Sequence, residues 1–330
     1  MHVLPIIHNV QQYWPQTKIT WIIGRTEAQL VTGLKGVEFI IFDKSKGAKV
    51  YLKLYRQLQG RQFDVLLHMQ AALRASLASL LIKAPIKVGF DRGRAINMQW
   101  LFTNHRIAAV ERQHVLDGFF EFIDVLGVTG RELKWPMVIP SESAAVVNDY
   151  FDDRPLLVIN PCTSQRRRNW RDWYPRYYAQ VIDHALTYYD IQIALTGADV
   201  QREHIMANTI LSKVAQKNKV RIANLVGKTN LKSLAAVLQR ADALISPDTG
   251  PAHIANGLGT PVIGLYATSN PKRTGPYFSQ WTINKYPQAL EMQGLDEKQV
   301  KWGQRVRDPK ALDLITVEDV IQQLDKLFNR

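Results

Sequence analysis

A short polar segment between a strand and a helix is the part of the sequence best suited to hold an anion. Residues 246–256 read SPDTGPAHIAN and follow an apolar run, residues 243–245, that predicts a strand. At such a turn the first backbone N–H groups of the helix are free, and the helix dipole favours negative charge. Asp248, Thr249 and Gly250 form the turn, and Thr249 adds a hydroxyl donor. The segment predicts a phosphate site with His253 one turn into the helix, although a simple helix cap explains the same residues.

A second segment offers hydroxyls and cations at an equivalent position. Residues 160–170 read NPCTSQRRRNW and also follow a predicted strand. Loops after parallel strands of one sheet lie at the same edge, so this loop can reach the same anion as Thr249. Arginine suits a diphosphate because its planar fork donates two parallel hydrogen bonds. The alternative interpretation of the arginine triplet, residues 166–168, is a solvated basic loop.

Both segments belong to a chain in which short strands alternate with helices. This order predicts βαβ units and parallel sheets. The predicted strands are residues 18–24, 39–42, 64–68, 87–90, 156–160, 192–195, 243–245 and 262–265. The predicted helices are residues 48–58, 69–83, 174–188, 201–214, 231–240, 252–258 and 316–328, the last with Thr316 as its N-cap.

The length favours two domains. The chain has 330 residues, and a single core rarely grows past ~250–300 residues. A polar and acidic stretch, residues 140–155, precedes the strand at 156–160 and predicts the boundary. We therefore expect an α/β protein with Rossmann-like domains at 1–153 and 154–330 and a ligand cleft between them. The last helix could pack back on the N-terminal domain.

The charge points to an anionic partner. Lys and Arg number 42 against 29 Asp and Glu, which gives a net charge of +13. The excess is divided evenly, with +6 in residues 1–150 and +7 in residues 151–330. With 46% apolar and 22% charged residues, the composition excludes a disordered chain, a collagen-like fibre and a coiled coil. The sequence has neither an apolar run long enough to span a bilayer nor the features of a secretory signal. A single cysteine, Cys162, fits a reducing cytoplasm.

The two candidate anion-binding segments, in this order, resemble those of glycosyltransferase family 9, the ADP-heptose:lipopolysaccharide heptosyltransferases. The resemblance rests on DTGPAH at 248–253, GTPVIGLY at 259–266 and NPKRTGPY at 270–277. In the first half, ITWIIG at 19–24 and HVLDG at 114–118 are similar to the branch that adds the first heptose to the inner core. The resemblance implies a GT-B fold, in which the C-terminal domain binds the sugar nucleotide and the N-terminal domain binds the acceptor.

The same resemblance implies roles for individual residues. Thr163 and Arg168 match the phosphate-contacting hydroxyl and cation of the family, which usually has a lysine at position 168. We also expect Ser164 to bind the donor. The run from Asp248 to His253 matches the turn that binds the donor sugar and diphosphate. The expected donor-binding residues are thus Thr163, Ser164, Arg168, Asp248, Thr249, Gly250 and His253. Lys228 and Thr229 are also expected to bind the donor, near the nucleoside, and residues 197–199 fall at the same pocket of the family.

The acceptor implied by the resemblance is lipid A carrying an acidic sugar. Arg74, Arg92 and Arg94 follow predicted strands of the first domain and are expected to bind this anion, the alternative being a solvated surface. The implied reaction is an inverting, metal-independent transfer of heptose from ADP-L-glycero-D-manno-heptose to the Kdo/heptose inner core of lipopolysaccharide. No cofactor is expected beyond the donor. The implied location is cytoplasmic, peripheral at the inner membrane of a Gram-negative bacterium.

The catalytic residue is not identified by the resemblance. Family members open with a strand and a Gly-Asp loop, whose aspartate is regarded as the base, and a helix follows. Met1–Pro5 resembles the middle of that helix, so the first strand and the base have no counterpart in this sequence. We therefore expect the numbered chain to start late. The alternative to a late start is a protein that lacks the base, which would be a catalytically impaired binding protein. For the function, a further alternative is a member of the same family that uses another sugar donor.

Other chemistries are disfavoured by missing pattern elements. The sequence has no Asp-x-Asp motif, and its histidines lack metal-ligand spacing. Residues 227–229 read GKT without the first glycine of a P-loop, and the GLG at 257–259 follows a helix rather than a strand, so NTPase and NAD sites are excluded. Cys162 has no base placed beside it in sequence. Nucleic-acid binding is suggested by the charge alone, without a recognised motif, and is not expected.

Overall fold

The computed structural model describes residues 1–163, 170–278 and 280–329 and divides into two compact units. The first unit is Met1–Val138 and the second is Ile139–Arg330. The composition predicts this division after Asp153, whereas the structure places it before the helix at Ser141–Tyr150. That helix packs against the helix at Leu231–Arg240, which explains why it belongs to the second unit.

The first unit alternates helices and parallel strands. Its helices are α1 (Val3–Tyr13), α2 (Arg25–Val31), α3 (Lys49–Leu58), α4 (Leu73–Ser79) and α5 (Val115–Asp124). Its strands are β1 (Ile19–Ile23), β2 (Val37–Ile41), β3 (Val65–Leu67), β4 (Ile86–Gly89) and β5 (His105–Arg106). The four strands predicted in this half are therefore confirmed, with ends that differ by a few residues.

The strands of the first unit form two separate sheets. β1 pairs in parallel with β2, and β3, β4 and β5 form a second parallel sheet in that order. The βαβ pattern predicts one sheet, but β1 and β3 are not hydrogen-bonded to each other. A cluster of buried side chains from α3, α4 and β2 packs together instead, and it includes Leu54, Ala78 and Ile40. Helix packing rather than a continuous ladder therefore joins the two sheets.

Helix α4 is shorter than the predicted helix over 69–83. The chain continues the strand direction past β3, because the His68 backbone N–H donates to the Val88 carbonyl at 2.8 Å. Ala72 is still extended at the N-terminal end of the helix. The alanine- and leucine-rich composition predicts the helix type correctly but not its first turn.

The second unit contains a six-stranded parallel sheet with helices α6–α13. The strands are β6 (Leu156–Ile159), β7 (Gln192–Leu195), β8 (Ile222–Asn224), β9 (Ala243–Pro247), β10 (Val262–Tyr266) and β11 (Ile283–Asn284). The helices are α6 (Ser141–Tyr150), α7 (Pro175–Tyr188), α8 (Gln201–Lys213), α9 (Leu231–Arg240), α10 (Gly250–Leu258), α11 (Pro271–Thr274), α12 (Tyr286–Glu291) and α13 (Val317–Phe328).

The strand order of this sheet fixes where a ligand can bind. The order is β11-β10-β9-β6-β7-β8, so the chain runs outward from β6 in one direction and from β9 in the other. β6 and β9 are neighbours, with Ile159 opposite Ile245. The crevice beyond the carboxyl ends of two such strands is the usual ligand position in a doubly wound sheet. The predicted anion loops leave these two strands.

A large buried apolar cluster covers one face of this sheet, and it includes Leu157, Ile159 and Ile245. β6, β9 and β10 are buried along their whole length, as expected for central parallel strands covered on both faces. Trp173 is fully buried and its indole N–H donates to the Ile315 carbonyl at 2.9 Å. This bond ties the loop before α7 to the loop before α13.

The last helix packs within the second unit. α13 lies against α7, where His184 Nε2 is 2.9 Å from the Asp325 carboxylate and the Tyr189 hydroxyl donates to the same carboxylate at 2.7 Å. Thr316 caps the helix, since its side chain accepts from the Asp319 N–H and Asp319 accepts in return from the Thr316 N–H. The predicted N-cap is therefore confirmed, whereas packing of the last helix on the first domain stays a prediction.

Candidate functional site

The turn after β9 has the geometry of an open helix N-terminus. Thr249 is extended and precedes α10, but its hydroxyl does not cap the helix and is instead 2.7 Å from the Ser246 hydroxyl. Gly250 is exposed, and an added Cβ there would meet no atom within 4 Å. Pro251 occupies the first turn and carries no N–H. The space in front of α10 is therefore open, and the dipole of the helix favours an anion there.

Asp248 is held by two side chains rather than pointing freely into this space. Its Oδ2 accepts from the Ser269 hydroxyl at 3.0 Å and lies 3.5 Å from Arg171 Nη1. The same guanidinium donates to the Asp248 carbonyl at 3.0 Å. The two side chains are only 12% and 11% exposed, so the ion pair is buried. Arg171 therefore fixes the conformation of the turn that Asp248 begins.

Arg273, which sequence reasoning did not single out as a site residue, lies close to this turn. It is half-buried on α11, where its guanidinium would contact a Cβ at Gly303. Among the described residues its guanidinium has no hydrogen bond or ion pair. Desolvation lowers the pKa of Arg273, the charge of Arg305 lowers it further, and only Asp248 opposes the shift. An unpaired, half-buried cation flanked by a second cation is an electrostatic site for an anion.

The sequence did contain a signal for Arg273. It belongs to NPKRTGPY at 270–277, one of the runs that carry the family resemblance. Asn270 caps α11 by accepting from the Lys272 N–H, which sets the direction of this short helix after β10. Because β10 is the neighbour of β9, the residues after both strands share one edge of the sheet. The motif alone did not show that the arginine lacks a partner.

Thr163 is buried and bonded within the protein. Its N–H and its hydroxyl both donate to Asp172 Oδ1, at 2.9 Å and 2.8 Å. Arg202 pairs with Asp172 and donates to the Thr163 carbonyl at 3.0 Å. Donor binding by Thr163 stays a prediction. The neighbouring Ser164 and Arg168, like residues 166 and 167, lie outside the described residues.

The two segments expected near the nucleoside come together. The Gly227 N–H donates to the Gly197 carbonyl at 3.1 Å, and a Cβ at Gly227 would lie 3.0 Å from Asp199 Oδ1. Gly227 has a φ of 76°, a left-handed conformation that favours glycine. Lys228 is exposed, with its ammonium 5.5 Å from the centre of the Tyr150 ring, and Thr229 is half-buried. The loops after β7 and β8 thus form one continuous surface beside the loop after β6.

The three arginines expected to bind the acceptor have different surroundings in the first unit. Arg74 is exposed at the start of α4, and Arg92 is exposed with its guanidinium 5.5 Å from the Trp100 ring. Arg94 instead pairs with Asp91 and donates to Glu121 Oε2 at 2.7 Å. Its charge is therefore compensated inside the unit. Acceptor binding by all three stays a prediction.

Neither a metal cluster nor an activated thiol is found among the described residues. In that part of the chain, no group of three or more His, Cys, Asp or Glu side chains is placed to hold a metal ion. Burial raises the pKa of the Cys162 thiol to about 11, with a further contribution from Glu203. The thiol is therefore protonated at neutral pH, which argues against a nucleophilic role.

The family of the chain is decided by similarity to known proteins. A match to the family described as Glycosyltransferase family 9 (heptosyltransferase) spans residues 51–300. The chain is 38% identical to the lipopolysaccharide core heptosyltransferase OpsX of Haemophilus influenzae over 329 residues, which cover 99% of this chain and 92% of the relative. This chain belongs to glycosyltransferase family 9. The predicted family and the predicted enzyme class, a glycosyltransferase, are therefore confirmed.

Solved structures of glycosyltransferase family 9 share the fold. A member from Veillonella parvula matches with a TM-score of 0.79 and 21% identity, covering 99% of this chain and 93% of that one. The E. coli heptosyltransferase WaaC with ADP matches with a TM-score of 0.71 and 19% identity, covering 99% and 95%. The expected fold, an α/β GT-B glycosyltransferase with two Rossmann-like domains, is confirmed by these structures.

Proposed function

We propose that this protein transfers heptose from ADP-L-glycero-D-manno-heptose to the Kdo/heptose inner core of lipopolysaccharide. The observation that carries the proposal is the open helix N-terminus at Gly250 beside the unpaired Arg273, at the switch point of the second sheet. This is an arrangement suited to a diphosphate. The sugar is proposed from the relatives, since one is a lipopolysaccharide core heptosyltransferase and one structure was solved with ADP.

The proposed chemistry is a single displacement at the anomeric carbon. A base takes the proton of the acceptor hydroxyl while its oxygen bonds to the anomeric carbon and the bond to ADP breaks on the opposite side, so the configuration inverts. The N–H groups at the start of α10 and the Arg273 guanidinium would stabilise the charge that develops on the leaving diphosphate. Because fixed dipoles and cations supply this stabilisation, we propose that the reaction needs neither a divalent metal nor a cofactor besides the donor. Arg171 contributes indirectly by holding Asp248 and hence the turn.

The remaining donor contacts are proposed from position along the sheet edge. Gly227, Lys228 and Thr229 share a surface with Asp199, and this surface is proposed to receive the nucleoside. His253 lies one turn into α10 and is proposed to face the sugar. Thr163, Ser164 and Arg168 are proposed to contact the diphosphate from the loop after β6, for which the hydrogen bond of Thr163 to Asp172 would have to rearrange.

The acceptor is proposed to bind the first unit and to be presented at a membrane. Arg74 and Arg92 are exposed cations that follow β3 and β4, the type of group that an anionic lipid-linked sugar requires. In the described part of the chain no helix is long and apolar enough to cross a bilayer. We propose peripheral attachment at the cytoplasmic face of the inner membrane, where such an acceptor would be embedded.

Titration of the purified chain with three nucleotide sugars tests the donor assignment. ADP-heptose should raise the melting temperature more than ADP-mannose, and UDP-glucose should have little effect. Stronger stabilisation by ADP-mannose would assign another sugar to the same site. If ADP-heptose binds but no heptose reaches a heptose-free lipopolysaccharide acceptor, the chain is a binding protein rather than an enzyme. If none of the three binds, the donor site is wrongly assigned.

A further inference from the structure

The outer face of α4 is an exposed leucine stripe. Leu73, Leu77 and Leu80 are 51%, 43% and 60% exposed and recur at the spacing of one helix face. The opposite face of the helix contributes Ala78 to the buried cluster of the first unit. The stripe is therefore not the face of α4 that packs on the core, because the opposite face of the helix already packs there.

The neighbouring helix α3 repeats this arrangement. Leu54 and Leu58 on its inner face are buried in the same cluster, whereas Leu52 and Tyr55 are exposed. The Tyr51 hydroxyl donates to the Arg74 carbonyl at 3.2 Å and so joins α3 to the start of α4. We call the exposed apolar side chains of the two helices the α3–α4 face; they are Leu52, Tyr55, Leu73, Leu77 and Leu80.

A third exposed apolar segment is tied to α4. His68 Nε2 is 3.1 Å from the Ser76 hydroxyl on α4, and the Gln99 side chain donates to the His68 carbonyl at 2.7 Å. Gln99 is buried, whereas three apolar residues close to it in sequence are exposed. These residues are Ile96, Met98 and Leu101. Eight exposed large apolar side chains of the first unit thus lie on three connected segments, namely α3, α4 with Leu80, and residues 96–101.

The positive charge of the first unit is concentrated in the same stretch of chain. Residues 44–83 contain eight basic side chains and one acidic side chain, Asp64, a balance of +7. Residues 1–150 as a whole balance to only +6, so the remainder of that stretch is slightly acidic. Lys53 and Arg56 on α3, and Lys83 just after α4, are exposed. Cations therefore flank the α3–α4 face.

We propose that the α3–α4 face docks on an anionic phospholipid bilayer. Amphipathic surface helices bind membranes by burying apolar side chains at the headgroup boundary while Lys and Arg contact anionic lipids. A second copy of this chain would bring the same +7 stretch against itself, which disfavours self-association. Nucleic acid would match the charge but not the leucines. A bilayer surface offers both an apolar layer and negative charge.

Sedimentation with lipid vesicles tests this surface without any substrate. The full chain should bind vesicles of phosphatidylethanolamine and phosphatidylglycerol and bind vesicles of phosphatidylcholine much more weakly. The double variant Leu77→Ser/Leu80→Ser should lose at least about tenfold in partitioning, because two half-exposed leucines no longer enter the lipid. The matched control is Ile205→Ser/Val220→Ser on the second unit, where the two side chains are 57% and 89% exposed. This control should bind like the wild type.

A charge variant provides a second, independent measurement. Lys53→Ala/Arg56→Ala should weaken binding to the anionic vesicles about tenfold. The control Lys301→Ala/Lys310→Ala, which removes two exposed lysines of the second unit, should have little effect. All four variants change exposed side chains and should melt at the wild-type temperature.

Several results would overturn the proposal. Equal losses in the α3–α4 variants and their controls would show that vesicle binding is not localised to the α3–α4 face. A concentration-dependent dimer that Leu77→Ser/Leu80→Ser abolishes would assign the face to a second copy. The proposal rests on the proposed function only in its choice of membrane, the inner membrane in which the acceptor would be embedded. Vesicle binding is measured without donor or acceptor, so a protein that docks but does not transfer heptose would refute the function and leave the surface standing.

Discussion

Replacement of Arg273 with methionine should stabilise the free protein and weaken donor binding at the same time. In the structure the Arg273 guanidinium is half-buried, lacks a hydrogen bond or ion pair among the described residues, and is repelled by Arg305. Methionine keeps a long, flexible chain next to Gly303 but removes the charge. A residue retained only for packing would not combine these two effects.

The two magnitudes follow from the environment of the side chain. Removing a half-buried, unpaired charge should stabilise the fold by about 1 kcal/mol, which raises the melting temperature by roughly 2–4 °C for a unit of this size. If Arg273 donates to the diphosphate, the loss of a charged hydrogen bond costs ~1.5–3 kcal/mol of binding. This corresponds to a Kd for ADP that is roughly 10- to 150-fold weaker.

Arg171→Met is the matched comparison, because Arg171 is paired where Arg273 is not. Removing it leaves the Asp248 carboxylate buried with one fewer partner, so this variant should be destabilised by about 3 kcal/mol. Thermal unfolding and calorimetric titration with ADP measure both quantities on each variant. The reasoning is refuted if Arg273→Met leaves the affinity for ADP unchanged, or if it destabilises the protein as Arg171→Met does.

Three further predictions concern other parts of the molecule. Gly250→Val should abolish ADP binding, because its side chain would fill the open space in front of α10, while the melting temperature should stay within a few degrees of the wild type. Gly130→Val, whose side chain would also enter open space, should retain binding. Equal binding by both variants would show that ADP does not bind at the N-terminus of α10. Burial lowers the pKa of His68 from 6.5 to about 4, so the unfolded chain takes up a proton that the folded chain excludes, and stability should fall by up to about 3 kcal/mol as pH drops from 6.5 to 4. Urea titrations should show a smaller loss in His68→Gln, and an identical pH profile would contradict the assignment. Burial raises the pKa of Cys162 from 9.0 to about 11, so stability should decline as pH rises through this interval, and a thiol reagent at neutral pH should label the cysteine only after unfolding.

The sheet that positions the site was predictable because its strands are short apolar runs between polar turns. Residues 156–160 and 243–245 were predicted as strands, and they prove to be neighbours at the switch point of the six-stranded sheet. Their adjacency could be expected from the rule that loops after parallel strands share an edge. The two-sheet arrangement of the first unit could not be expected, because periodicity identifies a strand but does not identify its partner.

The chemistry of single side chains was harder to predict, since it depends on contacts between residues far apart in sequence. Arg94 looked like an exposed cation, yet it bonds to Glu121, 27 residues later. Thr163 looked like a free hydroxyl, yet it donates to Asp172. Arg273 shows the opposite case, because the sequence around it does not indicate that its charge has no opposite charge paired with it in the fold. Only the folded arrangement separates a structural arginine from one available to a ligand.

Mass analysis of the acceptor after reaction tests the central claim most directly. The full chain is incubated with ADP-heptose and lipopolysaccharide that lacks heptose, with and without added metal chelator. The account predicts that each acceptor molecule gains one heptose, that ADP is released in equal amount, and that the chelator has no effect. Unchanged acceptor together with unchanged ADP-heptose would contradict it.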